Sequence, residues 1–150
     1  MTPNSATGWA LRPAEDSDAE WLVGLKFRVL FPDLKRLGVW NPERSRERTL
    51  RDFQTAGSRV ILVDGEPVGF VAVRGDAHTQ WIEKFYIEQE FQGHGIGGQV
   101  LRWVLAEFAD DRPFRINVLQ GSAARTLYER HGFVFEHDDN VDVFLVRPAG

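Results

Sequence analysis

No cysteine occurs among the 150 residues, which removes disulfides, thiolate metal sites and any cysteine nucleophile. An excess of basic charge is also missing. Residues 1–75 carry 11 basic and 10 acidic side chains and residues 76–150 carry 7 and 12, for a net charge of −4. Neither half could present a broad phosphate-binding face, so a nucleic-acid partner is not expected. The mild acidity is compatible with a cationic substrate. No apolar run approaches the roughly 18 residues needed to span a membrane, so no membrane partner is expected. The opening MTPNSATGWA has neither the basic nor the apolar region of a secretory signal, and the expectation is a cytoplasmic protein. Histidines 78, 131 and 137 show no metal-ligand spacing, so no metal is expected.

What is present has the balance of a globular chain, 43% hydrophobic and 27% charged, and its length fits one domain over 1–150. Residues 7–12 read as a short strand stopped by Pro13. Ser17 and Glu20 have capping-box spacing, and the apolar positions Trp21, Leu22, Leu25, Val29 and Leu30 that follow predict a helix ending near Pro32. Asn41-Pro42 starts a second, charged helix to about Thr55, with Leu50 and Phe53 as its sparse apolar face. Residues 60–63 and 67–74 flank Asp64-Gly65 as a tight hairpin. Residues 81–87 form a strand on which alternation puts Trp81, Glu83, Phe85 and Ile87 on one face. A helix carrying Val100, Leu101, Val104, Leu105 and Phe108 follows, then a strand over 114–119, a helix over 122–131 and a hairpin of 133–136 with 141–146. The fold class is α+β, a mostly antiparallel sheet with helices on its faces.

Four of the 14 glycines fall within residues 93–98, between a strand and a helix. Successive backbone N–H groups and the positive end of a helix dipole make an anion site there. Gly93, Gly95 and Gly98 also match the dinucleotide fingerprint G-x-G-x-x-G, but the context fails. Residues 88–91 intervene after the strand, and the next strand ends in Leu119-Gln120 instead of an acid.

Gln92-Gly-His-Gly95-Ile-Gly97 instead resembles the Q/R-x-x-G-x-G/A signature of the GCN5-related N-acetyltransferases (GNAT), whose loop grips the pyrophosphate of coenzyme A. Ile82-Glu-Lys-Phe-Tyr-Ile87, five residues ahead of Gln92, is similar to that family's fourth strand. Leu127-Tyr128-Glu-Arg-His-Gly132-Phe133 is similar to its late L-Y-x-x-x-G-F helix, and Asp64-Gly65-Glu-Pro-Val-Gly69-Phe70 to its second hairpin. The element order agrees across nearly the whole chain. The resemblance implies a three-layer fold around a mixed, mostly antiparallel sheet.

It also implies roles. The backbone of Phe85, Tyr86 and Ile87 would pair with the pantetheine arm, one N–H polarising the thioester carbonyl. Gln92, Gly93, His94, Gly95, Ile96, Gly97 and Gly98 would cradle the pyrophosphate, with His94 where the family often has lysine or arginine. Tyr128 would protonate the leaving thiolate, for which a phenol is chemically competent; the other reading of Tyr128 is packing beneath its helix. Glu83 is the candidate base for the amine, or else the partner of an arginine from the first helices. Ser122 stands where the family often has asparagine and is a competent N-cap. Arg125 either reaches phosphate or lies on a solvated face. Arg28, Phe31, Trp40 and Asn41 fall in the region that builds the acceptor pocket, where Trp40 is either an aromatic wall or core packing. Asn117 either orients substrate or satisfies backbone groups.

The expectation is therefore an enzyme that moves the acetyl group of acetyl-CoA onto a small-molecule or peptide amine by direct attack in a ternary complex. The alternative is a non-catalytic acyl-CoA-binding domain on the same scaffold. A homodimer is left open, and the acceptor is not identified by the sequence.

Overall fold

A two-residue turn shows how locally the chain obeys its sequence. Asp64 (φ 50°) and Gly65 (φ 82°) both lie in the left-handed region, the geometry that lets two strands return with matched twist. They join β2 (Ser58–Val63) to β3 (Glu66–Gly75). The structure, a computed structural model, describes residues 8–150. Its other strands are β1 (Trp9–Pro13), β4 (Gln80–Ile87), β5 (Phe114–Leu119), β6 (Val134–Asp138) and β7 (Asp142–Arg147). The helices are α1 (Ala19–Arg36), α2 (Pro42–Asp52), α3 (Ile96–Glu107) and α4 (Ala124–Glu129). The sheet order is β1-β2-β3-β4-β5-β7-β6, antiparallel throughout except for β4 against β5.

Helices cover both faces, giving the three layers expected. On one face, Val100, Leu101 and Val104 of α3 pack fully buried against Trp9, Ile61, Val71, Ile82, Ile116 and Leu145. On the other, Leu22 and Leu25 of α1 pack against Val60, Phe70 and Ala72. Burying each such side chain contributes about 1.5–3 kcal/mol. Among the described residues no helix is long and apolar enough to cross a membrane.

Local signals failed at several points. The first predicted strand begins at Trp9; Thr7 lies outside the described residues. The capping pair is Glu15 with Asp18 around a 3-10 turn, not Ser17 with Glu20. Asp18 accepts from the Glu15 N–H at 2.8 Å while Arg12 grips both its oxygens at 2.8 and 2.9 Å. That clamp sets the capping acid two residues earlier and holds its carboxyl below the usual range. The α1 helix runs through Pro32 to Arg36, tolerating the lost proline N–H where the sequence predicted a stop. The second helix begins as expected, with Asn41 Oδ1 accepting from the Arg44 N–H at 3.0 Å, but its buried residue is Thr49.

The departure that matters most is in β4. Ala72 pairs with Lys84 and Val73 with Ile82, so Glu83 is an extra residue, a β-bulge. Alternation therefore breaks at Glu83. Ile82 joins Phe85 and Ile87 toward α3, whereas Tyr86 packs toward α1.

Candidate active site

Pairing between β4 and β5 consists of Gln80 with Phe114 and Trp81 with Arg115, and then stops. Beyond those rungs, just before the bulge at Glu83, the two strands part. Between them opens a cavity of about 1450 Å³, lined by residues 82, 83 and 85–87 of β4 and 116–119 of β5. A parallel pair that separates leaves an edge of backbone donors and acceptors facing the gap, able to take an extended guest as an added strand. Phe85, Tyr86 and Ile87 lie along that edge.

The glycine loop closes one end. Gly93 (φ 80°) and Gly95 (φ 85°) are left-handed, which a residue with a Cβ adopts only under strain. The first backbone bond into α3 runs from the Gln99 N–H to the Gly95 carbonyl at 3.1 Å. The N–H groups of Gly93, His94, Gly95, Ile96, Gly97 and Gly98 thus have no backbone acceptor among the described residues, and they sit at the positive end of a 12-residue helix. Gln92 has a different position. Its own N–H bonds to Gln89, and its Nε2 donates to the Ile87 carbonyl at 2.7 Å, so it ties the loop to the end of β4.

Tyr128 of α4 borders the cavity and is only 3% exposed. Its ring meets Phe133 edge-on at 5.6 Å and Phe85 at 6.3 Å. Burial pushes its pKa above the ordinary phenol value, with a further push from Tyr86, so it holds its proton throughout the physiological range.

Glu83 reaches the cavity from the bulge. Its oxygens meet Arg74 Nη1 at 3.1 Å and Lys84 Nζ at 3.8 Å, so its ion-pair partners come from β3 and β4 and not from the first helices. Asn117 lines the cavity while its Nδ2 donates to Asp142 Oδ1 at 3.0 Å. Ser122 Oγ accepts from the Ala124 N–H at 3.1 Å one residue ahead of the α4 N-cap, which is Ala123 and not the expected serine. Arg125 pairs with Glu129 at 3.1 Å and lies over the Phe135 ring.

The acceptor-side residues divide. Arg28 grips Glu88 at 2.7 Å, fastening α1 to the end of β4 instead of facing the cavity. Phe31 packs with Phe27 and Trp40 at ring separations of 5.4 and 5.2 Å; of these three only Trp40, 42% exposed, borders the cavity, together with Asn41.

Four cations on the cavity wall escaped sequence reasoning: Lys26 of α1, Arg44 and Arg48 of α2, and Arg130 just after α4. The i, i+4 spacing of Arg44 and Arg48 was a visible sign that they share a face. Lys26 is pressed against Thr49, Nζ to Oγ1 at 3.3 Å, and burial with Lys84 and Arg48 nearby pushes its pKa down to about 8. Among the described residues there is no cluster of three or more side chains fit to hold a metal ion.

The model of the acetyltransferase (GNAT) domain matches residues 56–135. No curated protein matches the chain in sequence. Solved structures share the fold. An acetyltransferase from Thermus thermophilus is 22% identical with a TM-score of 0.72, covering 99% of each chain. The PaiA N-acetyltransferase of Thermoplasma acidophilum, solved with coenzyme A, is 16% identical with a TM-score of 0.71, covering 93% of this chain and 98% of that one. A Salmonella typhimurium acetyl transferase that modifies the N-terminal serine of ribosomal protein L7/L12 is 20% identical with a TM-score of 0.67, covering 99% of each.

Proposed function

The chain belongs to the acetyltransferase (GNAT) family, and from that premise we propose that its 150 residues form one domain that moves an acetyl group from acetyl-CoA directly onto a primary amine within a ternary complex. The observation that carries this reading is the meeting of two unspent sets of donors. The parted edge of β4 runs straight into the free N–H groups at the start of α3. An extended thioester arm ending in a pyrophosphate needs those two features side by side, and a dinucleotide does not.

The N–H groups of residues 93–98 bind the pyrophosphate, and Arg130 adds positive charge at the same end, since α4 abuts the loop where Leu127 approaches Gly97. A β4 N–H within Phe85, Tyr86 and Ile87 polarises the thioester carbonyl, a donor fixed before the reaction begins. The amine nitrogen bonds to the carbonyl carbon as the carbon–sulfur bond breaks. Tyr128, kept protonated by its burial, gives its proton to the departing thiolate. Glu83 takes the proton that the amine loses, directly or through water, and both groups are reset by exchange with solvent.

The test is thiol release from acetyl-CoA over a panel of amines, with Tyr128→Phe beside the wild type. Loss of one positioned proton donor is worth about 10²–10⁴-fold in rate, and the drop should fall on kcat. Coenzyme A binding without turnover on any amine would favour a non-catalytic acyl-CoA-binding domain. Unchanged kcat in Tyr128→Phe would remove that residue from the mechanism.

A further inference from the structure

The cavity wall is not uniform in how its charges are satisfied. Its acidic side chains are spoken for: Asp33 pairs with Arg36 at 2.8 Å, Glu83 with Arg74 at 3.1 Å, Asp142 accepts from Asn117 at 3.0 Å, and Asp139 accepts the N–H groups of Val141 and Asp142. The basic side chains contributed by α1 and α2 are not. Lys26, Arg44 and Arg48 all border the cavity, and none has a carboxylate within ion-pair distance among the described residues.

The contrast is sharp along α2 itself. Arg46 and Arg51, between and beyond the two cavity arginines, pair with Glu20 and Asp52. Elsewhere Arg12, Arg28, Arg112 and Arg115 are matched with acids in the same way. Arginines without a carboxylate thus stand on the cavity side of α2, one turn apart, on the wall of the same cavity that the β4 edge lines. Two guanidinium groups on exposed side chains and the partly buried ammonium of Lys26, all bordering one open cavity, attract an anion.

We propose that Lys26, Arg44 and Arg48 form an anion subsite for the acceptor, so that the amine this enzyme acetylates carries a carboxylate or phosphate of its own. The inference rests on the acetyl-transfer reading of the cavity and reverses the cationic substrate that the chain's net acidity would suit. Net charge is a property of the whole surface, whereas selection is made by the few groups that touch the substrate. The charged groups facing Lys26 are Arg48 and Asp52 from α2 and Lys84 from β4, with Glu83 paired to Lys84. Two of the three that act on it directly are cations, and they disfavour the ammonium form. An incoming anion does the opposite, so its binding near pH 8 draws a proton onto Lys26.

Matched acceptors decide the matter: an α-amino acid against its amide, aminoethyl phosphate against ethanolamine, and a diamine as the cationic arm. The anionic member of each pair should have the higher kcat/KM, by about tenfold for the better anion, which also tells carboxylate from phosphate. Arg48→Gln and Arg44→Gln should each narrow that gap through KM for the acceptor while KM for acetyl-CoA stays put. Preference for the uncharged twins or the diamine overturns the proposal. So does a rise in KM for acetyl-CoA alone, which would hand these arginines to the coenzyme. A second readout is independent of turnover. Calorimetry at pH 8 with an N-acetylated amino acid, in two buffers of different ionisation enthalpy, should show proton uptake that Lys26→Met abolishes. Binding without uptake, or no preference over the N-acetylated amide, overturns it as well. If coenzyme A binds yet no amine reacts, the acetyl-transfer reading fails while the calorimetry still decides this one.

Discussion

Gln92 Nε2 donates to the Ile87 carbonyl at 2.7 Å, so one side chain sets the distance between the glycine loop and the end of β4. The two binding features must keep register for a single ligand to span both. Gln92→Ala removes the strut at a cost of about 0.5–1.5 kcal/mol in stability. Loss of register should raise KM for acetyl-CoA about tenfold while kcat moves less. Initial rates against acetyl-CoA and a thermal melt measure the two effects separately.

Gly95 is left-handed at φ 85°, and an added Cβ meets nothing closer than the Gln99 side chain at 3.6 Å. Space is available, so the cost of Gly95→Ala is conformational, about 1–2 kcal/mol. For a domain of this size that is roughly 2–8 °C of melting temperature. Relaxation of the loop would also turn N–H groups away from their common focus. The stabilising shift given by saturating coenzyme A should shrink in the variant, as read by thermal melts with and without ligand.

Glu83 can be tested against its own ion pair. If it accepts the amine's proton, Glu83→Gln lowers kcat by at least about tenfold. Arg74→Gln leaves the carboxylate in place and should spare kcat. Equal losses in both variants, accompanied by equal losses of stability, would make the Arg74–Glu83 contact at 3.1 Å structural only.

Lys26 makes stability depend on pH in a definite direction. Its pKa falls from 10.5 to about 8 on folding, so between those values the unfolded chain binds more protons than the native one. Stability contributed at this site therefore rises as pH climbs from about 8 to 10.5, and the full penalty is present below 8. Lys26→Met should stabilise the protein by about 1–3 kcal/mol at pH 7, with the gain fading above pH 8. Comparing variant with wild type by denaturant unfolding at pH 7 and pH 9.5 isolates this residue from the buried tyrosines, whose raised pKa values act in the opposite sense above pH 10.

Features written in consecutive residues were legible in the sequence. The Asp64-Gly65 turn, the Asn41 cap, the α3 stripe and the glycine loop each depend on a backbone conformation that a few neighbouring residues dictate. The α+β order and the family resemblance followed from those pieces. Features set by distant partners were hidden. The bulge at Glu83 comes from the registry of β4 on β3, which no count of alternating residues along β4 reveals. Asp18 displaced Glu20 as the capping acid because Arg12, from a strand, came to meet it. Arg28 looked available for substrate until Glu88 claimed it. The cavity cations show the same limit from the other side, because arginine is common on charged helices and what distinguishes Arg44 and Arg48 is a shared place on the cavity wall with no opposing acid.

The parting of β4 from β5 has a consequence for the protein's safety as well as for its chemistry. An unpaired strand edge invites the edges of other molecules, and open sheets risk sticking together there. Here the unpaired stretch lies in a cavity whose walls also include residues of α1, α2 and α4, so a guest reaches it as a single extended chain more readily than as a whole sheet. The gap therefore works as a filter on thickness, admitting a flexible arm and refusing a neighbour. Occupying it should slow aggregation on heating by more than the added stability alone explains, because the guest covers the same edge through which partly opened molecules would join.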